Sequence, residues 1–195
     1  MYDLLSKFNT FYDSYVVLPQ AEQTNLHSKK DLNIQRLKDG LQEYNEENKT
    51  SYSIVETCVQ GSVAMSTVVQ NEDGDYAVVF DKSALGDKGA QSTRNLVANA
   101  LKRKTKQFNA EPEVKTSCVR IKYADGYHID FAVYRRYYDL WNDCWVYEHA
   151  GSYWTKRDLR GLNEWFKTQN DNSEGKLRKV VRLSKMFCKS RKSWK

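Results

Sequence analysis

The sequence is short of the residues that punctuate a chain. Two prolines and nine glycines in 195 residues exclude a collagen-like or Pro/Gly-rich low-complexity protein. Four cysteines (Cys58, Cys118, Cys144 and Cys188) are scattered with no CxxC spacing. That pattern argues against a disulfide framework or a zinc site. The four read as reduced thiols filling space as small buried apolar residues. No run of about 18 apolar residues occurs, so no membrane-spanning helix is expected. The opening stretch MYDLLSKFNTFYDS lacks the basic start and apolar core of a secretory signal, and a cytoplasmic protein is the expectation.

What is present is aromatic and charged. Thirteen Tyr, seven Phe and five Trp accompany 40% apolar and 29% charged residues, a globular composition with enough chain for one core. The net charge of +6 is uneven. Residues 156–195 hold 13 basic against 4 acidic side chains, whereas the rest hold 18 against 21. A basic end on a slightly acidic body suits a phosphate-rich partner, and it equally suits a solvated basic helix.

Apolar spacing predicts an amphipathic helix over residues 1–17, carried by Leu4, Leu5, Phe8, Phe11, Tyr12 and Tyr15. A second helix is expected to start near Pro19 and reach about Asn45, with Leu26, Ile34, Leu37 and Leu41 as its stripe and Gly40 as a weak point. SIVETCVQGS and YAVVFDKSALGD read as strands, the first ending at Gly61–Ser62. Residues 92–108 read as a helix capped by Ser92 or Thr93. VKTSCVRIKYADGYHIDFAVYRR gives two strands around an Ala124-Asp125-Gly126 turn. Helices follow from Leu159 to Lys167 and from Lys176. The order implies an α/β (α+β) protein with a mixed sheet and helices on one face.

Asp73 and Asp75 bracket Gly74 just before the apolar YAVVF. Alternation on a strand puts both carboxylates on one side and Tyr76, Val78 and Phe80 on the other. The Asp-Gly-Asp triplet alone fits a turn, a solvated edge or a pair of metal ligands. Asp130 sits in HIDFAVY on the face of His128, Ala132 and Tyr134, where no turn requires it. Acids on neighbouring strands repel unless a cation joins them, and Mg²⁺ suits a few carboxylates with substrate phosphates.

Gly61–Ser62, the Asp73-x-Asp75 pair and the later Asp130 resemble the DNA polymerase β-like nucleotidyltransferases. ADGYHIDFAVYR, WTKRDLRGLNEWF and LRKVVRLSKMF are more closely similar to the bacterial CD-NTases, relatives of cyclic GMP-AMP synthase and 2′-5′ oligoadenylate synthetase. The resemblance runs from about residue 20 to 190. It implies the polymerase β-like fold, with residues 1–175 as the nucleotidyltransferase domain and 176–195 as a basic helix opening a helical C-terminal region. It also implies that Asp73, Asp75 and Asp130 hold two Mg²⁺ ions, or Mn²⁺, and act catalytically. Gly61 and Ser62 would clasp the donor triphosphate, with Lys185 and Arg182 as further nucleotide contacts. NTPs would be joined into an oligonucleotide signal in antiphage defence, with a regulatory protein or RNA as further partner. Alternatives are untemplated nucleotidyl transfer to RNA or another acceptor, and an inactive nucleotide- or RNA-binding module. Two features depart from the family. Asn71-Glu72 precede the acids and Gly74 separates them, and the chain ends at KSRKSWK where relatives continue through more helices.

The basic stripe Arg178, Arg182, Lys185, Lys189 runs beside an apolar one of Leu177, Val180, Val181, Ser184, Phe187 and Cys188. His128 reads as a proton shuttle or a satisfied strand histidine. Tyr153 and Trp154 read as base-stacking or packing rings.

Overall fold

The computed structural model describes residues 3–69, 74–105, 111–124 and 126–191. Helix α1 (Leu4–Phe11) starts at Asp3, whose side chain accepts a hydrogen bond from the Ser6 amide, and passes into a π-helical turn over Tyr12–Val16. The expected apolar stripe is divided between these pieces. Tyr12 and Val16 are buried, whereas Leu4 and Leu5 are 73% and 70% exposed. Helix α2 (Gln20–Asn48) follows with Pro19 as its N-cap, close to the expected bounds.

Gly40 corrects the sequence reading of a weak point. A Cβ there would land on the Ala100 carbonyl of the facing helix. The glycine is therefore the contact that lets two helix backbones approach closely.

Strand β1 (Ile54–Gln60) leads into the short helix α3 (Gly61–Ala64). Strand β2 (Gly74–Asp81) runs to the short helix α4 (Lys82–Leu85), and α5 (Ala90–Thr105) follows. Ser92 and Thr93 lie inside α5 rather than capping it, and the Thr93 hydroxyl bonds back to the Gly89 carbonyl. Strands β3 (Glu113–Val114), β4 (Val119–Lys122) and β5 (His128–Asp139) come next. Asp125 lies outside the described residues; beside it Gly126 takes the left-handed φ of +90° that the turn needs. Strands β6 (Cys144–Ala150) and β7 (Trp154–Lys156) precede helices α6 (Gly161–Asn172) and α7 (Lys176–Ser190).

The sheet runs β1-β2-β5-β4-β3, with β6 on the far half of β5 and β7 on β6. Among the described residues only β2 and β5 pair in parallel, which demands a crossover that α5 supplies. The sheet is mixed, as expected. Tyr76, Val78 and Phe80 of β2 and Ile129, Phe131 and Val133 of β5 face one way. They form the main core with Leu37 and Leu41 of α2 and Leu96, Val97 and Leu101 of α5. Alternate residues Ala77, Val79 and Tyr134 face the other side, under Leu159. Among the described residues, no helix is long and apolar enough to cross a membrane.

Candidate functional site

One row of residues crosses the sheet. Gln60 of β1 is in register with Asp75 of β2, Asp75 with Asp130 of β5, and Asp130 with Arg120 of β4. All four belong to the face opposite the main core, because their neighbours in each strand fill that core. Asp75 and Asp130 thus stand side by side on parallel strands, about 4.8 Å apart in the hydrogen-bonding direction. The Asp130 side chain is 13% exposed and Asp75 is half-buried.

Gly61 closes on this pair from the end of β1. Its φ is +55°, and a Cβ there would sit 2.5 Å from Asp75 Oδ2. The bare glycine therefore lets the turn approach the carboxylate closely. Ser62 follows within α3, and its carbonyl accepts from the Thr67 amide at 2.8 Å, tightening the turn behind it. Gly74, the departure from the family pattern, has a local cause. A Cβ at Gly74 would lie 2.7 Å from the Tyr76 ring, so the aromatic core residue excludes a larger side chain. Burial, reinforced by Asp75 and Asp31, pushes the Tyr76 phenol up to about 12.

Asp130 is gripped from the next strand. Arg120 donates from Nε and Nη2 to its two oxygens at 2.8 and 2.7 Å, and His128 Nε2 stands 3.9 Å from Oδ2. The Cys118 thiol is pushed up to about 11, first by burial and then by the Asp130 charge. Asp73 lies outside the described residues, as do Asn71 and Glu72. Among the described residues no group of three or more His, Cys, Asp or Glu converges on one metal position. Asp75 and Asp130 still fit a divalent ion. They are adjacent on one face, they are partly shielded, and they open towards a cradle that a Cβ at Gly61 would fill. The bidentate arginine takes one lone pair from each Asp130 oxygen and leaves another on each.

The structure places Lys185 and Arg182 behind the Gly61–Ser62 turn. Arg178 Nε donates to the Met65 carbonyl at 3.2 Å, Arg182 Nη2 to Ser66 at 2.7 Å, and Lys185 Nζ to Thr67 at 3.2 Å. Three successive carbonyls thus meet three rungs of one basic stripe. Ser66 is in the left-handed region with φ +53°, where a non-glycine residue needs outside support. Arg182 Nη1 also donates to the Tyr12 hydroxyl. Sequence reasoning had the faces of α7 differently. Val180 and Phe187 of the expected apolar stripe are 57% and 48% exposed, while Leu183 and Met186 pack on Tyr12, Val16 and Val69. The carbonyl row of the turn demands donors, and that draws the cations inward.

Other candidates resolve plainly. Trp154 packs on the core and donates from Nε1 to the Lys88 carbonyl, whereas Tyr153 is 74% exposed. Cys144 and Cys188 are exposed, which corrects the expectation that all four cysteines are buried. Arg120 and Arg178 carry contacts that sequence reasoning missed. Arg120 alternates with apolar residues in VRIK, the same signal that exposed Asp130.

Residues 55–134 match the family model of the nucleotidyltransferase domain of cyclic GMP-AMP synthase DncV-like proteins. Vibrio cholerae DncV cyclic AMP-GMP synthase, described as a prokaryotic cGAS homolog, is similar in structure, with a TM-score of 0.67 and 18% identity over 87% of this chain and 61% of that one. CdnC of E. coli MS115-1, solved in complex with HORMA-deltaN, gives a TM-score of 0.66 and 18% identity over 94% and 56%. The chain therefore spans 61% and 56% of the lengths of these two proteins. The sheet row and the matched segment agree: residues 55–134 are similar to a DncV-like nucleotidyltransferase domain, and the fold is the one that these two structures share.

Proposed function

We propose that the protein is a divalent-metal-dependent nucleotidyltransferase that joins NTPs into a cyclic or linear oligonucleotide signal, serving bacterial antiphage defence in the cytoplasm. The observation that carries this reading is the meeting of Gly61, Asp75 and Asp130 at one end of the sheet. The cyclic AMP-GMP synthase activity of the Vibrio cholerae relative supports the product class, and the HORMA complex of CdnC supports a protein regulator.

In this reading Asp75 and Asp130, with Asp73, hold Mg²⁺ or Mn²⁺. When bound, the ions offset charge on the transferring phosphoryl group and lower the pKa of the attacking hydroxyl. Gly61 lets the triphosphate approach the backbone, and the Ser62 hydroxyl donates to it. Asp130 orients the attacking ribose hydroxyl while Arg120 fixes the carboxylate's rotamer. Lys185 reaches the triphosphate from α7, exchanging its Thr67 contact for a phosphate oxygen, and Arg182 keeps the turn in place.

The test is incubation of the purified chain with labelled NTPs and Mg²⁺ or Mn²⁺, beside Asp75→Asn and Asp130→Asn. Product from wild type and none from the variants is expected. Phosphatase resistance identifies a cyclic product; extension of an added RNA would instead assign tail synthesis. Absence of product under every NTP and metal combination would remove the enzymatic reading of this chain.

A further inference from the structure

Arg94, the fifth residue of α5, is 4% exposed and has no acidic partner among the described residues. Its Nη1 donates to the carbonyl of Ala150 at 2.6 Å and also to that of Gly151. Its Nε is buried with no acceptor. Burial alone pulls this guanidinium's pKa down, so its charge is held at a cost. A buried cation is normally matched by a carboxylate, because carbonyl dipoles offset only part of the lost hydration.

The same side chain lines a surface pocket of about 290 Å³ with Gln91, Val114, Lys115, Thr116 and Ser152. Five of these six residues carry polar side chains, and they come from α5, from the end of β3 with the β3–β4 connection, and from the β6–β7 turn. The first turn of α5 contains no acidic residue, so its amide dipoles add positive potential. Glu113, next to the pocket, bridges Lys115 and Lys122 at 2.5 Å each. With Arg94 included, three cations there face one anion.

We propose that this pocket is an anion site that takes the phosphate group of a small phosphorylated molecule. Phosphate fits better than a larger apolar ligand because the guanidinium brings a fixed positive charge, while hydroxyl, amide and ammonium groups line the rest of the pocket. The volume lies at the small end of ligand pockets, which leaves room for a phosphate and a sugar-sized group. The main-core residues of α5 lie against the sheet face opposite Asp75 and Asp130, and no pocket residue belongs to the Gly61–Ser62 turn. The site is thus separate from the proposed nucleotidyl-transfer centre and stands or falls independently of it. A bound phosphate would tie the start of α5 to the two turns that enclose the pocket.

The experiment titrates the full chain with inorganic phosphate in the presence of EDTA, following melting temperature and heat of binding. A saturable rise of about 5 °C at a hundredfold excess over Kd is expected. Lys115→Ala is expected to weaken phosphate at least about tenfold, the scale of one charged contact. Ser152→Asp would supply a carboxylate to the pocket, abolish phosphate binding and raise the melting temperature without ligand. Both positions are exposed, so neither change threatens folding. The double variant Ser62→Ala/Lys185→Ala is expected to bind phosphate as wild type does. No phosphate-dependent shift, or a shift lost in the double variant and kept in Lys115→Ala, overturns the assignment.

Discussion

Arg120 grips both oxygens of Asp130 across the β4–β5 pair, at 2.8 and 2.7 Å, directly beside Asp75 in the same row. With no cation bound, two carboxylates on adjacent strands repel, and the guanidinium removes most of that repulsion. Arg120→Ala is therefore expected to lower stability in chelator by about 2 kcal/mol, the scale of losing a charge-assisted, partly buried pair. Mn²⁺ should then restore more stability to the variant than it adds to wild type, because metal takes over the counter-charge. Denaturant unfolding with and without Mn²⁺ measures both. Equal metal increments in the two proteins would contradict this role.

Gly61 is constrained twice, by its φ of +55° and by the Asp75 oxygen 2.5 Å from where a Cβ would stand. Gly61→Ala should cost about 1–2 kcal/mol in stability through the left-handed backbone. The larger effect should be on nucleotidyl transfer, at least about 100-fold, because the methyl group displaces a carboxylate from its working position. Melting temperature and product formation, measured on one preparation, separate these effects. Activity within threefold of wild type would show that the close approach is unimportant.

The three-rung contact of α7 on carbonyls 65–67 gives Arg178 a positioning role for the Gly61–Ser62 turn. Arg178→Ala leaves the Met65 carbonyl without this donor and loosens the turn. The expected result is a rise in KM for NTP of roughly tenfold with a smaller change in kcat, equivalent to about 1.4 kcal/mol of binding. Arg178→Lys should recover part of it. A purely structural arginine would change melting temperature and leave KM alone.

Much of this site was legible because strand alternation is a strict rule. An acid within HIDFAVY must share a face with Ala132 and Tyr134, and the structure puts Asp130 there, opposite the main core. Register between strands was not legible. That Asp75 meets Asp130, and Asp130 meets Arg120, depends on the β2–β5 crossover and the β4–β5 hairpin. Strand β6 was missed because YYDLWNDCWVYEHA mixes acids and rings on both faces, with Leu140 and Trp141 at 85% and 97% exposure at the bend; β7 is only the three residues Trp154–Lys156. Gly40 and the basic stripe of α7 misled for one reason. Helix periodicity describes a helix facing water or an oily core, and here the partner surface is backbone: the Ala100 carbonyl in one case, carbonyls 65–67 in the other.

His149 makes stability depend on pH in one direction. The ring is 8% exposed, and its Nε2 donates to the Ser117 carbonyl at 2.9 Å, which fixes the neutral tautomer. Burial, with Arg157 and Arg94 nearby, holds its pKa below the ordinary 6.5; the Ser117 contact opposes this without reversing it. In the unfolded chain the imidazole takes up a proton near pH 6.5, while the folded protein resists until lower pH. The unfolded state therefore binds more protons in that window, and stability falls as pH drops from about 6.5 towards the depressed value. His149→Gln keeps a donor for Ser117 and removes the titration. Urea unfolding at pH 7.5, 6.5 and 5.5 should show wild type losing more stability on acidification than the variant. Parallel losses in the two proteins would place the acid sensitivity elsewhere.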